Sequence, residues 1–144
     1  MKKKLVVSLI ILSFLGLLDA AYLTITHYQN TAPFCNIEHP CSIVLTSQFA
    51  TLGSLPIALL GAIYYLLVLI YSLFLLKERK RFALLGFVAL AGLGFIISVV
   101  LFLIQAFILH AFCLYCIFSE VISVLLLTFS LILLRLGYDE KSKN

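Results

Sequence analysis

Four long apolar runs restrict what this sequence can fold into. They cover residues 5–28, 55–76, 82–109 and 112–136. Each run is at least as long as the roughly 20 residues that a helix needs to cross the hydrocarbon core of a bilayer. Continuous Leu, Ile, Val and Phe lack the two-residue alternation of barrel strands, so the runs predict helices. We therefore expect an all-α integral membrane protein, a four-transmembrane-helix bundle that forms a single domain over residues 1–144.

The charged residues support this interpretation and indicate an orientation. Only 11% of the residues are charged and 64% are hydrophobic, whereas an average soluble domain has about 25% charged residues. All ten Lys and Arg lie before the first run, between the second and third runs, or at the end of the fourth run and beyond it. The loop over residues 29–54 and the turn near His110 have none. Because basic residues favour the cytoplasmic side, we predict cytoplasmic termini in a multi-pass protein of the inner (plasma) membrane.

Two other interpretations of the basic residues are less favourable. The net charge of +4 could suggest nucleic-acid binding, but the basic residues form no patch interleaved with aromatic side chains. The first run follows three lysines and could be a cleaved signal peptide. It continues past Asp19 to about His27, however, and Leu18 stands where the cleavage site needs a small residue. We therefore expect a retained first span and no nucleic-acid partner.

All four cysteines fall on the predicted extracytoplasmic side. Cys35 and Cys41 lie in the outer loop, and Cys113 and Cys116 lie where the fourth run begins. In an oxidising compartment, an even number of cysteines at one membrane face indicates disulfide or dithiol chemistry. Zinc is the alternative, with a histidine as a further ligand. Closed zinc sites usually have two tight cysteine pairs, whereas the intervals here are five and two residues, so we expect no metal.

The C-x-x-C pair opens the predicted fourth helix. The free N–H groups and the dipole of a helix N-terminus stabilise a thiolate, which favours a reactive pair. By helical rise, Cys116 lies about 4.5 Å deeper in the bundle than Cys113. We therefore predict that Cys113 exchanges disulfides and that Cys116 acts in the apolar interior. A static disulfide is the alternative.

The outer loop carries the second pair and a predicted lid. A disulfide between Cys35 and Cys41 closes a small loop and stabilises the chain little, which favours a mobile shuttle. The segment over residues 41–50 has the spacing of a short helix, with Cys41, Val44 and Leu45 on one face. We predict that this helix is an extracytoplasmic lid over the bundle.

These motifs together resemble the bacterial vitamin K epoxide reductase homologues. The shared pattern is a loop cysteine pair, a serine six residues after its second cysteine (Ser47), a glycine-containing second span and a C-x-x-C that opens the last span. The resemblance covers nearly the whole chain. It implies a stand-alone form without a fused thioredoxin-like domain, and four helices around a quinone, either ubiquinone or menaquinone.

The resemblance also implies a relay of electrons. Cys35 and Cys41 match the pair that reoxidises an extracytoplasmic DsbA-like or other thioredoxin-fold partner. Cys113 matches the cysteine that exchanges with Cys41, and Cys116 matches the quinone-reactive cysteine. The implied activity is a membrane thiol–disulfide oxidoreductase that supports protein disulfide formation.

The resemblance further implies residues around the quinone. Ser47 matches a serine close to the reactive pair, and five other positions match the pocket lining: Val44, Leu45, Leu60, Tyr64 and Tyr65. Two positions differ from the animal enzymes. Ile57 stands where they place an asparagine that hydrogen-bonds the quinone carbonyl, and Glu120 stands where they place a tyrosine. Epoxide reduction therefore does not follow from the resemblance.

Polar residues within the runs are candidates for contact with a quinone. A quinone carbonyl gains charge as electrons arrive and needs a hydrogen-bond donor in an apolar pocket. Gln105 is a candidate, on one helical face with Leu101 and Leu109, although it could equally bond a neighbouring helix. Asp19 and Glu120 are candidates for relaying protons.

Two alternatives to this function stay open at this point. A DsbB-type oxidase performs the same reaction with four spans, but it carries its C-x-x-C in the first outer loop. A non-enzymatic membrane protein would use the four cysteines for structural disulfides or for binding a metal.

Overall fold

Four long helices make up most of the structure, a computed structural model that describes residues 2–29, 43–45, 47–77 and 80–142. The helices are α1 (Lys2–Tyr28), α2 (Ile57–Lys77), α3 (Arg81–Leu103) and α4 (Leu114–Ser142). Each is long and apolar enough to cross a membrane, α3 together with the segment that follows it. The prediction of four membrane-spanning helices is therefore confirmed.

The second helix begins two residues later than the sequence predicted. Two short antiparallel strands, β1 (Thr51–Leu52) and β2 (Leu55–Pro56), precede it, with Thr51 opposite Pro56. Gly53 lies in the turn between them with a φ of 69°, a left-handed conformation that glycine adopts without steric cost. The hairpin therefore uses the residues that were predicted as the first turn of the span.

The predicted lid helix over residues 41–50 lies partly outside the described part of the chain. Residues 43–45 form one helical turn and residues 47–50 form further turns, while residues 41, 42 and 46 lie outside the described part of the chain. Both the N–H and the hydroxyl of Ser47 donate to the carbonyl of Val44, at 3.4 and 2.7 Å. These two bonds hold Ser47 in a turn against the end of the helical residues 43–45.

The third span changes its winding before it ends. After α3 the chain continues as a π-helical segment, Ile104–Leu109, and the segment ends at His110. His110 has a φ of 47° and a ψ of 32°, a left-handed conformation that terminates the helix. The sequence predicted one uninterrupted helix over residues 82–109, because hydropathy does not distinguish the two windings. π-Helical turns occur frequently at functional sites.

The helices pack around a core that runs along the bundle. Helix α1 packs along α2 and α4, and α3 packs along α4. The most buried members of the core come from all four helices: Val6, Leu9, Val68, Leu75, Phe87 and Leu126. Large apolar side chains are also exposed on every helix, as expected for surfaces that face lipid. A second, smaller cluster of Val44, Ala111 and Cys113 lies apart from this core, and it positions the site described next.

Candidate active site

Cys113 occupies the N-terminus of α4 as its capping residue. Its carbonyl accepts the first helical hydrogen bond, from the N–H of Ile117 at 2.9 Å. Its sulfur accepts hydrogen bonds from the backbone N–H groups of Tyr115 and Cys116. These groups have no partner within a helix, so the sulfur takes the place that a serine or aspartate oxygen fills in most helix caps.

The same surroundings favour the thiolate form of Cys113. A hydrogen bond from the Cys116 thiol lowers the pKa of Cys113 most, burial opposes this effect, and the two N–H groups lower the pKa further. The pKa of Cys113 therefore lies below the usual value of a thiol. A lowered pKa at a helix N-terminus is typical of reactive cysteines. Both Cys113 and Cys116 are free thiols in this structure.

Gln105 joins the π-helical segment to this cap. Its side chain is only 2% exposed. Its Oε1 accepts a hydrogen bond from the backbone N–H of Cys113 at 3.0 Å, and its Nε2 donates to Oε1 of Glu120 at 2.8 Å. These two bonds fix which end of the amide faces which partner, because the backbone N–H of Cys113 can donate only to the amide oxygen and not to the NH₂ group. Gln105 therefore holds the backbone of Cys113 and one side chain on α4 at the same time.

Two further contacts surround the cysteine pair. The ring of Tyr115, between the two cysteines, packs against Tyr22 on α1 with centroids 5.3 Å apart. Val44 packs on Cys113, which is completely buried. A thiol partner could therefore reach the sulfur of Cys113 only if the residues that cover it moved.

An apolar cavity of about 140 Å³ lies between the helices beside Cys116. One buried water needs a cavity of about 10–15 Å³. The cavity therefore has room for roughly ten water-sized groups, about the size of a small aromatic ring system. Five residues that the sequence analysis named for the site line it: Val44, Leu45, Ser47, Gln105 and Cys116. Leu101, Gln105 and Leu109, which were predicted to share one helical face, all line the cavity.

Three other predicted pocket residues do not line this cavity. Leu60 is exposed on the outside of the bundle. The hydroxyl of Tyr64 donates to the carbonyl of Leu90 at 3.4 Å, and the hydroxyl of Tyr65 bonds the carbonyl and the hydroxyl of Ser119 at 2.9 and 2.8 Å. These tyrosines connect α2 to α3 and α4, so the cavity gives no support to their predicted role at a quinone.

The two predicted candidates for relaying protons, Asp19 and Glu120, also line the cavity. Three polar residues to which the sequence gave no role at a quinone join them: Ser98, His27 and Ser119. Ser98 precedes Gln105 by seven residues, which is a spacing of two helical turns, and this signal could have identified it. Ile57 and Glu120, the two positions that differ from the animal enzymes, both line the cavity. The departures therefore fall on the cavity wall itself.

The loop pair, Cys35 and Cys41, lies outside the described residues. Within the described residues, no three His, Cys, Asp or Glu side chains are grouped closely enough to hold a metal ion. Of the four cysteines, the described geometry places Cys116 at the cavity and Cys113 at the helix cap beside it.

Comparison with known proteins identifies the family. The family model described as the vitamin K epoxide reductase family matches residues 7–131, a range that includes the cavity, the outer loop and the C-x-x-C pair. Among curated proteins, no relative matches the chain. The chain belongs to the vitamin K epoxide reductase family and is a multi-pass membrane thiol–disulfide oxidoreductase.

Proposed function

We propose that this oxidoreductase reoxidises an extracytoplasmic thioredoxin-fold (DsbA-like) protein and transfers the electrons through two cysteine pairs to a membrane quinone. Residues 1–144 act as one domain, and the net result is the formation of disulfides in other proteins. One observation carries the proposal: Cys116 lines an apolar cavity among membrane-spanning helices, while Cys113 caps α4 beside it.

The relay consists of two disulfide exchanges before the quinone. A thiolate of the reduced partner attacks the Cys35–Cys41 disulfide, and the partner leaves with a disulfide. A thiolate of the loop pair then attacks the Cys113–Cys116 disulfide, which becomes a dithiol as the loop disulfide reforms. Each exchange forms one disulfide, breaks one and moves two electrons. The roles of the loop pair come from the family resemblance.

The described geometry supports the roles of the second pair. The hydrogen bonds that lower the pKa of Cys113 make it a good leaving group and a good nucleophile in exchange. Cys113 is completely buried in a cluster with Val44 and Ala111, so the residues that cover it must move before the loop thiolate can approach. The fixed helix cap therefore suits the pair that receives electrons from the loop cysteines.

The residues around the cavity fit a quinone. Apolar side chains from the outer turn, α2 and α3 would hold its ring: Val44, Leu45, Ile57 and Leu101. Gln105 and Asp19 provide polar groups at the same wall, and Oδ2 of Asp19 has no hydrogen-bond partner among the described residues. When bound, a quinone accepts two electrons and two protons. The cavity therefore offers a binding site for a quinone ring beside the C-x-x-C dithiol.

The distribution of charge supports an orientation. Lys77, Lys80 and Arg81 lie where α2 ends and α3 begins, at the opposite ends of these helices from the strands and the π-helical segment. By the positive-inside rule, that end faces the cytoplasm. We propose that both termini are cytoplasmic and that all four cysteines act at the outer side of the inner (plasma) membrane.

Quinone reduction by the purified protein tests this proposal. The protein in detergent is given a reduced DsbA-like donor and a short-chain ubiquinone or menaquinone, and the absorbance of the quinone is followed. Wild type should turn over, Cys116→Ala should not reduce quinone, and Cys35→Ala should fail with the protein donor but retain activity with a small dithiol. Ser72→Ala is the control, because Ser72 is buried on α2 and does not line the cavity.

Two results would contradict the proposal. The first is a wild-type protein that shows no thiol-dependent reduction of either quinone. The second is a Cys116→Ala variant that reduces quinone as fast as wild type, because the cavity would then not be the place where the electrons leave the protein.

A further inference from the structure

One buried carboxyl oxygen in this protein has no hydrogen-bond partner. Asp19 on α1 is 9% exposed, and its Oδ2 is the one buried side-chain nitrogen or oxygen among the described residues without a partner. Neighbouring buried hydroxyls on the same helix are satisfied: Ser13 donates to the carbonyl of Leu9 and Thr24 donates to that of Ala20, both at 2.7 Å. Buried polar atoms without partners destabilise a fold and often indicate a functional role.

The unpartnered oxygen belongs to a residue of the cavity wall. Asp19 and Cys116 line the same cavity, from α1 and α4. The ionisable groups that share this cavity are His27 on α1 and Glu120 on α4. The parts of α2 and α3 that face it contribute no ionisable group within the described lining, and no Lys or Arg lines it. A ligand in the cavity is therefore the available partner for Asp19.

The charge state of Asp19 also affects the cysteine pair. A negative charge on Asp19 would oppose the thiolate of Cys113. A neutral carboxyl would avoid this repulsion, and its O–H could donate a hydrogen bond to a carbonyl oxygen in the cavity. Such a donor is required where charge develops on an oxygen in apolar surroundings.

We propose that Asp19 is the catalytic acid of quinone reduction, donating its Oδ2 proton to a quinone oxygen as the Cys113–Cys116 dithiol is oxidised. This inference depends on the proposed function. The dithiol loses two electrons and two protons and becomes a disulfide. Asp19 gives one proton to the quinone and regains one of the two that the thiols release, and the second thiol proton goes to the other quinone oxygen. The sum is one dithiol and one quinone converted to one disulfide and one quinol.

Two variants of Asp19 separate a catalytic role from a structural one. Asp19→Asn keeps a hydrogen-bond donor but has no proton to transfer, and Asp19→Leu removes both. Thr24→Val is the matched control, because Thr24 is equally buried on the same helix and does not line the cavity. Three quantities are measured: the unfolding temperature without quinone, the equilibrium binding of a short-chain quinone, and its reduction with a small dithiol.

Asp19→Leu is expected to raise the unfolding temperature but to lower the rate of quinone reduction. Asp19→Leu should unfold at a higher temperature than wild type, because it removes an unsatisfied buried oxygen. Asp19→Asn should bind the quinone as wild type does. Both variants should reduce it at least about 100-fold more slowly, the usual contribution of a general acid. Thr24→Val should keep wild-type turnover.

Other results would overturn the inference, and they can be told apart from failure of the proposed function. If wild type reduces quinone and Asp19→Asn does so within about threefold of it, a range far below the usual contribution of a general acid, Asp19 is not the acid. If Asp19→Leu unfolds at a lower temperature and Asp19→Asn loses quinone binding, Asp19 is a structural residue. If wild type neither binds nor reduces a quinone, both proposals are wrong.

Discussion

Replacement of Gln105 by leucine should destabilise the protein through two specific losses. Gln105 accepts the backbone N–H of Cys113 and donates to Glu120. Leucine has a similar size, so the change removes both hydrogen bonds without opening a large void. The loss in the free energy of unfolding can therefore be estimated from the two partners that remain.

The two losses differ in size. The N–H of Cys113 belongs to a completely buried residue, and a buried donor without a partner costs about 1–3 kcal/mol. Glu120 is only half-buried and faces the cavity, where water can replace the lost donor, so we assign about 1 kcal/mol to it. The expected loss for Gln105→Leu is about 2–4 kcal/mol, a large part of the roughly 5–15 kcal/mol that stabilises a typical fold.

Unfolding in mixed detergent micelles, followed by the loss of helical circular dichroism, measures this difference. Glu120→Gln is the control, because its side-chain oxygen can still accept from Gln105, and it should cost less than about 1 kcal/mol. The reasoning is refuted if Gln105→Leu lies within about 1 kcal/mol of wild type, or if the control variant loses as much stability.

Helix contact and thiol ionisation provide two more tests. Gly94→Ala should lower the free energy of unfolding by about 1–3 kcal/mol, because a Cβ there would overlap the hydroxyl of Tyr64, whereas Gly92→Ala has open space around it and should not. Equal effects in detergent unfolding would contradict the packing. With both loop cysteines replaced by alanine, a thiolate should form below the usual thiol pKa of about 8.5, because the charged form of Cys113 is stabilised. A further Cys116→Ala change should raise that midpoint, as measured by thiolate absorbance against pH, and an unchanged midpoint would exclude the hydrogen bond as the cause.

The number and nature of the helices could be predicted because the bilayer leaves little choice. A long apolar run in lipid must satisfy its own backbone, so hydropathy alone predicts a helix. The differences occur at the ends, where water and side chains compete with the helix. Leu55 and Pro56 pair with β1 instead of opening α2, and the third span ends in a π-helical segment.

The faces of these helices could not be predicted in the same way. A span that is apolar all round has no polar stripe to distinguish its inner face. Tyr64 and Tyr65 were therefore assigned to the pocket by resemblance, although their hydroxyls bond neighbouring helices. Gln105 could be recognised because it is a polar residue among apolar ones, but its bond to Cys113 depends on the π-helical segment, which no hydropathy pattern reveals.

The cavity combines polar groups in a way that neither the family pattern nor the sequence alone indicates. At the wall position where the animal enzymes place an asparagine, this chain has Ile57, which has no side-chain donor. Gln105 is engaged by Cys113 at one end of its amide and by Glu120 at the other. Oδ2 of Asp19 is the one buried side-chain oxygen without a partner among the described residues. The proposed recognition of a quinone carbonyl therefore rests on Asp19 of α1, while Gln105 connects the backbone of the reactive cysteine to the side chain of Glu120 at the same wall.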